Sequence, residues 1–218
     1  MRAILLLSGF FAIFSAAADD LLSWQKRMPI AFSGYPADAG TLTNFPALII
    51  LSNTAAGAGF DYADFLSPPW DDLRFAADDK TTPLDFEVES WNPGGLSYVW
   101  VRIPELTNNT LIHALWGKGG VIAPPCATNG SVWSNGFAGV WHLAETSGPA
   151  TDSTSNRNDG VLSAAGVTQG TAGPVDGDYT FANRYSGYLT CGINASLNVG
   201  HATWEALAYP TNNSQYFN

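Results

Sequence analysis

The sequence predicts an all-β protein made of two β-sandwich units in tandem. Short apolar runs alternate with clusters of Gly, Pro, Asn and Asp at intervals of roughly ten to fifteen residues, a spacing typical of strands joined by turns. Charged residues make up only 13% of the 218 residues, while Gly and Pro number 22 and 13. This composition favours strands and turns over surface helices, and no segment has a convincing helical period.

The charge balance excludes one class of partner. Lys and Arg together number 9 against 19 Asp and Glu, a formal net charge of -10. An acidic chain of this kind lacks the electrostatic attraction that binds nucleic-acid phosphates or anionic lipids. Hydrophobic residues at 46%, with 8 Trp, supply enough apolar surface for a sizeable core and exclude wholesale disorder. The sequence therefore predicts a globular chain with no nucleic-acid partner.

The first eighteen residues have the pattern of a secretory signal. Arg2 precedes an apolar run over 3–14, and small residues follow up to Ala18 in an A-x-A arrangement. We expect cleavage between Ala18 and Asp19, and a mature chain that is secreted, periplasmic or held at the cell surface. The apolar run is shorter than the roughly 20 residues needed to span a bilayer, and no later run is longer, so no transmembrane segment is expected after signal removal.

Residues 19–120 are predicted to form the first sandwich. Its expected strands lie near 25–32, 45–52, 72–76, 84–91, 96–103 and 110–116, with one helical turn within 60–65 that begins near Asp61. Residues 121–135 are rich in Gly, Pro, Asn and Ser with little to bury, which predicts a linker. Residues 136–218 form the predicted second unit, with strands near 161, 178–182, 188–191 and 202–209.

Residues 84–103 predict a β-hairpin with one buried face. Apolar and acidic residues alternate along 84–89, and an N-P-G-G sequence then predicts a type II turn with Pro93 and Gly94 at its centre. Pairing outward from this turn gives three apolar pairs on the inner face: Val88 with Val99, Phe86 with Val101 and Leu84 with Ile103. It gives three polar pairs on the outer face: Glu89 with Tyr98, Glu87 with Trp100 and Asp85 with Arg102.

Ordered motifs in both parts resemble known families. The first part contains W-Q-K-R-M-P-I, P-L-D-F-E-V-E-S-W, S-Y-V-W-V-R-I-P and A-L-W-G-K, and it resembles domain of unknown function 2341. The second contains S-N-G-F-A-G-V-W-H-L-A-E, D-S-T-S-N-R-N-D-G and A-T-W-E-A-L-A-Y-P. It resembles the start of a laminin-G-like domain of the concanavalin A-like lectin/glucanase class, although Asp159 and Leu207 replace the His and Trp common in relatives.

The resemblance implies a secreted bacterial architecture with two β-sandwiches, the second of a type that often binds carbohydrate or protein. Residues 136–218 are fewer than a laminin-G-like sandwich generally needs, so the second jelly roll is expected to be truncated. The resemblance implies no reaction, because the first family has no assigned activity and a fold alone cannot supply one.

Glu87 and Glu89 are weak candidates for acid/base catalysis. Side chains two residues apart on a strand lie about 7 Å from each other, within the range of an inverting glycosidase pair. The competing interpretation is a solvated or ion-paired outer face. The E-x-D-x-x-E string usual in glucanases of the concanavalin class is absent, which weakens the enzyme hypothesis.

The polar loop over residues 152–159 suggests a calcium site, and calcium is the candidate cofactor of this sequence. Asp152, Asn156, Asn158 and Asp159 offer the carboxylate and amide oxygens that calcium prefers. The loop does not fit the EF-hand pattern, and the same residue types are also ordinary turn formers that bond to nearby backbone. Both interpretations remain open at the level of sequence.

Other side chains bear on ligand binding and on nucleophilic catalysis. Trp70, Trp100 and Tyr185, with Tyr98, could stack on the apolar face of a sugar, although most Trp in a β-sandwich pack internally. The three His residues are isolated, and His142 in W-H-L is expected to be half-buried and satisfied. Cys126 and Cys191 are either both free or joined in a single bridge. No nucleophile motif is present.

These observations predict a non-catalytic extracytoplasmic module that binds a polysaccharide or cell-surface glycan, or acts in adhesion. Two alternatives remain, namely part of a secreted polysaccharide-active enzyme and a purely structural spacer.

Overall fold

The computed structural model describes residues 20–54, 59–182 and 186–210. The predicted signal sequence, its cleavage site and Tyr185 lie outside these ranges. The prediction of an all-β fold is confirmed: the described chain consists of antiparallel strands and short 3-10 turns. None of its described helical segments has the length and apolar character required to cross a bilayer.

Two antiparallel sheets form the first part. Its strands are β1 (Lys26–Ala31), β2 (Leu42–Leu51), β3 (Arg74–Ala77), β4 (Pro83–Leu84), β5 (Phe86–Ser90), β6 (Ser97–Leu106) and β7 (Leu111–Trp116). One sheet has the order β1-β7-β3-β4 and the other the order β2-β6-β5. The six predicted strand regions are all occupied, with the fourth divided between β4 and β5.

The core lies between the two sheets. Phe75 of β3 meets Phe86 of β5 with ring centroids 5.4 Å apart, and neither side chain is exposed. At one end Phe60 packs against Trp116 at 5.1 Å. Each strand contributes alternate residues to this core, which is why the period of two along residues 84–89 predicted the buried face correctly.

The predicted hairpin register is confirmed near its centre and wrong at both ends. Phe86 pairs with Val101, Glu87 with Trp100 and Val88 with Val99, as expected. A β-bulge follows Val88, so Ser90 rather than Glu89 lies opposite Tyr98. Leu84 pairs with Phe75 in the other sheet instead of with Ile103. A bulge adds one unpaired residue to a strand, which a strict alternation cannot anticipate.

The turn after β5 also differs from the prediction. Gly95 N–H donates to Asn92 O at 3.0 Å, which closes the expected four-residue turn. Gly94 lacks the positive φ that a type II turn requires. The Asn92 side chain accepts a hydrogen bond from Gly94 N–H at 3.1 Å. This bond between a side chain and the backbone two residues later, instead of a type II conformation, stabilises the turn.

A buried aspartate joins the loops of the first part. Asp72 is fully buried, and its carboxylate accepts backbone N–H groups from Leu66, Gly117 and Lys118 at 2.9 Å and from Ser67 at 3.3 Å. These four bonds connect the loop before β3 to the end of β7. The predicted helical turn is confirmed as a 3-10 turn, Tyr62–Asp64, with Asp61 accepting the Ala63 N–H at 2.9 Å.

The segment predicted to be a linker packs against the first part. It forms 3-10 turns at Pro125–Ala127 and Ser131–Trp133, and Ala127, Val132 and Trp133 are buried. The expectation that this segment has little to bury is therefore wrong. The physical reason is that a few apolar residues among Gly, Pro and Asn are enough to anchor an irregular segment when they meet an existing sheet face.

The remaining described chain forms two ribbons. Strands β9 (Val167–Ala172) and β10 (Gly177–Phe181) make one, and β8 (Val161–Leu162) and β11 (Leu189–Thr190) make the other. The expected strand over 202–209 is wrong: the described residues 201–210 are irregular and exposed. Strand β9 was not predicted, because its sequence of Thr, Gln and Gly carries almost no apolar alternation.

Two alanine substitutions test which side chains of the β5–β6 hairpin face the core and which face outward. Phe86→Ala should lower the free energy of unfolding by about 3 to 5 kcal/mol, because it empties a core position. Asp85→Ala should cost only about 0 to 1 kcal/mol, because its ion pair with Arg102 is partly exposed to solvent. Urea unfolding of the two variants measures both values. Equal losses would show that the faces are assigned wrongly.

Candidate functional site

The candidate site lies on the outer face of the sheet β2-β6-β5, where two carboxylates meet a histidine. Glu87 and Glu89 come from β5, and Trp100 comes from β6 directly opposite Glu87. His142 and Trp133 come from the chain that follows the first part and cover this face. We call these five residues the clasp.

His142 lies between the two carboxylates. Its Nδ1 is 3.3 Å from Glu89 Oε2, and its Nε2 is 3.5 Å from Glu87 Oε1. The Nε2 atom has no hydrogen-bond partner, so its approach to Glu87 is an ion-pair contact when the imidazole is protonated. The three side chains are shielded, with exposed fractions of 16% for Glu87, 3% for Glu89 and 15% for His142.

Hydrogen bonds occupy the carboxylates further. Trp133 Nε1–H donates to Glu87 Oε2 at 2.7 Å, and Ser153 Oγ–H donates to Glu87 Oε1 at 2.6 Å. Trp100 Nε1–H donates to Glu89 Oε2. Glu87 is thus contacted by three residues that follow the first part of the chain, Trp133, Ser153 and His142. We refer to residues 131–153 as the later chain. Glu87 is a point at which the later chain is held to the first sheet.

Aromatic rings enclose the same cluster. The Trp100 and His142 rings are stacked, with centroids 5.8 Å apart and an interplanar angle of 21°. Trp133 meets the Trp100 ring at 5.3 Å and the His142 ring at 5.5 Å. The rings lower the local dielectric constant, which strengthens the ion pairs and raises the cost of leaving any member unpaired.

The surroundings shift the pKa of each member. Burial by itself would lower the pKa of His142, but its contact with Glu87 and the charge of Glu89 hold that pKa above its ordinary value. Burial would raise the pKa of Glu87, yet His142, Ser153 and Trp133 keep it below its usual range. At Glu89 burial prevails, and its pKa is raised despite the nearby His142 and Trp100.

This arrangement favours attachment over catalysis. A general acid or base must reach the substrate proton, whereas both oxygens of Glu87 and the Oε2 of Glu89 already contact donors inside the protein. The nitrogens of His142 face two different carboxylates instead of one shared point. Within the described ranges, no set of three His, Cys, Asp or Glu side chains is arranged to hold a metal ion.

The proposed sugar-stacking residues occupy other roles. Trp100 is half-buried beneath Trp133 and His142. Trp70 is half-buried against the core and meets Phe86 at a ring distance of 6.4 Å. Tyr185 lies outside the described residues. Both tryptophans are half-buried against other rings, and sugar stacking on either of them stays a prediction.

The polar loop is built around Asp152. Its fully buried carboxylate accepts the N–H groups of Val140, Thr154 and Asn158 and the Thr154 hydroxyl, at 2.8 to 3.0 Å. Asp159 Oδ1 accepts the Asp152 N–H at 2.9 Å. Four donors match the capacity of one carboxylate, so Asp152 has no oxygen left over for calcium.

Asn156 and Asn158 complete the loop. The amide nitrogen of each donates to Ala138 O at 3.1 Å, and Asn158 also donates to Ser196 Oγ at 3.0 Å. The loop packs tightly on the preceding segment: a Cβ at Gly130, where φ is +82°, would lie 2.4 Å from Ser155 N. The geometry therefore favours the turn-forming interpretation of this loop. Calcium binding stays a prediction that metal titration can test.

Sequence reasoning missed the partners of Glu87. His142 is half-buried as expected, but the expectation that it is satisfied is wrong, because its Nε2 has no hydrogen-bond partner. Its contacts with Glu87 and Glu89, more than fifty positions away, had no sequence signal. Trp133 was placed in a linker. The one usable clue is that Trp133 follows Val132 directly, which puts two large apolar residues together among Asn, Gly and Ser. Of the two alternatives for the cysteines, the structure shows the first: Cys126 and Cys191 are both free and form no disulfide bridge. Burial raises the pKa of each thiol.

Comparison with known proteins finds a family match, which covers part of the clasp. The family model for Domain of unknown function (DUF2341) matches residues 70–131. The match contains Glu87, Glu89 and Trp100, and it extends through most of the segment predicted to be a linker. No curated protein and no solved structure matches the chain. The match covers well under half of the chain, and His142 and Trp133 lie beyond it.

We expect the clasp to make stability depend on pH. Folded His142 binds its proton more tightly than unfolded His, so its contribution is complete below about pH 6.5 and is lost as pH rises through the raised pKa. The raised pKa of Glu89 adds to this loss. The lowered pKa of Glu87 acts oppositely: its contribution is present above about pH 4.3 and is lost as pH falls further.

Urea unfolding between about pH 5.5 and about pH 9 measures this dependence. Wild type should lose stability as pH rises, and so should the matched control His201→Gln, which alters an exposed histidine. His142→Gln should lose much of the dependence, and near pH 6 it should be less stable by about 1 to 3 kcal/mol, because it leaves shielded carboxylates unpaired. An unchanged pH dependence in His142→Gln would contradict the assignment.

Asp152→Ala should destabilise the protein whether or not calcium is present. It leaves four donors without their acceptor, and each unsatisfied buried group costs about 1 to 3 kcal/mol. Asp159→Ala, which removes one bond from an exposed residue, should cost less. Thermal unfolding in calcium and in chelator gives the comparison. A calcium-dependent rise in the wild-type melting temperature that Asp152→Ala abolishes would show a metal at this residue.

Proposed function

We propose that this protein is a non-catalytic, extracytoplasmic binding module that recognises a polysaccharide or another cell-surface glycan. One observation carries the non-catalytic part of the proposal. The two carboxylates best placed for acid/base chemistry, Glu87 and Glu89, are shielded and engaged by His142 and two tryptophan N–H groups. Charge at this site is used to hold one part of the chain against another.

The ligand class follows from charge and from resemblance. A net charge of -10 repels polyanions such as nucleic acid, which leaves neutral and cationic ligands. The motifs of residues 133–145 and 202–210 resemble laminin-G-like domains, a class that often binds carbohydrate or protein. The predicted signal sequence supports a ligand outside the cytoplasm, and the DUF2341 match adds no activity that would compete with this proposal.

The proposal predicts binding without turnover. The exported chain should retain on an array of bacterial and plant polysaccharides at least one neutral glycan, and no reducing ends should be released from it. Release of reducing ends by wild type but not by Glu87→Gln would favour a polysaccharide-active enzyme instead. Absence of binding to every glycan on the array would favour a structural spacer.

A further inference from the structure

A cleft opens beside the clasp, where the first part of the chain meets the hairpin between β9 and β10. It has a volume of about 290 Å³ and is open to solvent. Six residues line it: Ser90, Asn92, Leu96, Tyr98, Gly173 and Asp176. The first four belong to the end of β5, the turn and the start of β6, and the last two belong to the hairpin.

Local backbone features build the cleft. The bulge after Val88 brings Ser90 opposite Tyr98. Asp176 has a left-handed backbone with φ +65° at the hairpin turn, and its Oδ1 accepts the Ser90 hydroxyl at 2.8 Å. This bond holds the hairpin beside the sheet and gives the cleft a second wall.

Polar groups in the cleft remain available to a ligand. The Asn92 Oδ1 is occupied by the Gly94 N–H, while its amide nitrogen has no hydrogen-bond partner within the described part of the chain. In the same ranges the Tyr98 hydroxyl and the second carboxylate oxygen of Asp176 also have none. None of these three atoms is buried, so each can bond to water. A ligand hydroxyl can replace that water.

The cleft combines these groups with apolar surface. The half-buried Tyr98 ring and the Leu96 side chain, which is 46% exposed, line the same space. Rings and aliphatic groups suit the C–H face of a sugar, while amide, hydroxyl and carboxylate groups suit its hydroxyls. A volume near the lower end of the roughly 300 to 1,000 Å³ usual for ligand sites fits one or two sugar units.

We infer that this cleft binds a neutral saccharide, with Tyr98 as the stacking surface and with Asn92 and Asp176 as hydrogen-bond partners of its hydroxyls. The inference rests on the proposed function and gives it a location. An anionic sugar is disfavoured because Asp176 and the nearby Glu89 are acidic, and the described lining includes no Lys or Arg.

The test uses the exported full chain and soluble polysaccharides as probes: a neutral β-glucan, a galactomannan and a xylan, with anionic polygalacturonate for comparison. Affinity electrophoresis and calorimetry give the dissociation constants. The cleft variants are Tyr98→Ala, Tyr98→Phe, Asn92→Ala and Asp176→Ala. Asn109→Ala is the matched control, since it removes an exposed amide from the turn between β6 and β7. Trp204→Ala removes a highly exposed ring elsewhere. Thermal unfolding confirms that each variant is folded.

We expect a neutral polysaccharide to bind wild type and Asn109→Ala equally. Tyr98→Ala should weaken this binding at least about tenfold, through lost stacking area. Tyr98→Phe and Asn92→Ala should each weaken it about threefold to tenfold, through one lost hydrogen bond. Asp176→Ala should weaken it at least as much, since it also releases the hairpin.

Two results would overturn the assignment of this cleft as the saccharide site while leaving the proposed function intact. One is a neutral polysaccharide bound equally by wild type and by all folded cleft variants, most clearly if Trp204→Ala alone abolishes binding. The other is tighter binding of polygalacturonate than of any neutral probe. By contrast, if wild type bound none of these probes and no glycan on the array, the proposed function itself would be overturned, and the inference with it.

Discussion

The imidazole of His142 is one of the groups that join residues 131–153 to the first sheet. His142 sits between Glu87 and Glu89, two carboxylates that share a shielded face and would otherwise repel each other while losing their hydration. Removing one member of such a cluster is strongly destabilising, because a buried charge that has lost its hydration is then left without a partner of opposite charge. Trp133 and Ser153 add hydrogen bonds to Glu87 from the same later chain. This cluster therefore contributes to the position of residues 131–153, together with the buried Val132 and the bond from Asn135 to Thr43.

The same principle recurs at two aspartates. Asp72 and Asp152 are fully buried, and each carboxylate accepts four hydrogen bonds from N–H or O–H donors of surrounding loops. Long irregular connections expose many backbone donors that no sheet can pair. In this protein a buried carboxylate collects them, which explains how a chain so rich in turns keeps ordered loops. Several of its acidic residues are thus structural, and they are not evidence of a catalytic or metal-binding surface.

The β-bulge after Val88 divides the outer face of the sheet into two regions. Glu89, the unpaired residue of the bulge, turns toward His142 and Trp100, and this region is covered by the later chain. Ser90 and Tyr98 lie past the bulge, and there the face stays open beside the β9–β10 hairpin. One extra residue in a strand therefore separates the surface that is covered by residues 131–153 from the surface that remains open to solvent.

The sequence by itself determined the fold class, the six strand regions of the first part and the central register of the hairpin. These features depend on alternation and turn residues close together in the chain, as with Phe86 facing the core and Glu87 facing outward. Only the tertiary structure decided that Glu87 and Glu89 are shielded, that Trp133 is an anchor and that Asp152 is saturated. Each of these depends on which distant donors meet a given carboxylate, and local periodicity carries no information about contacts between distant segments.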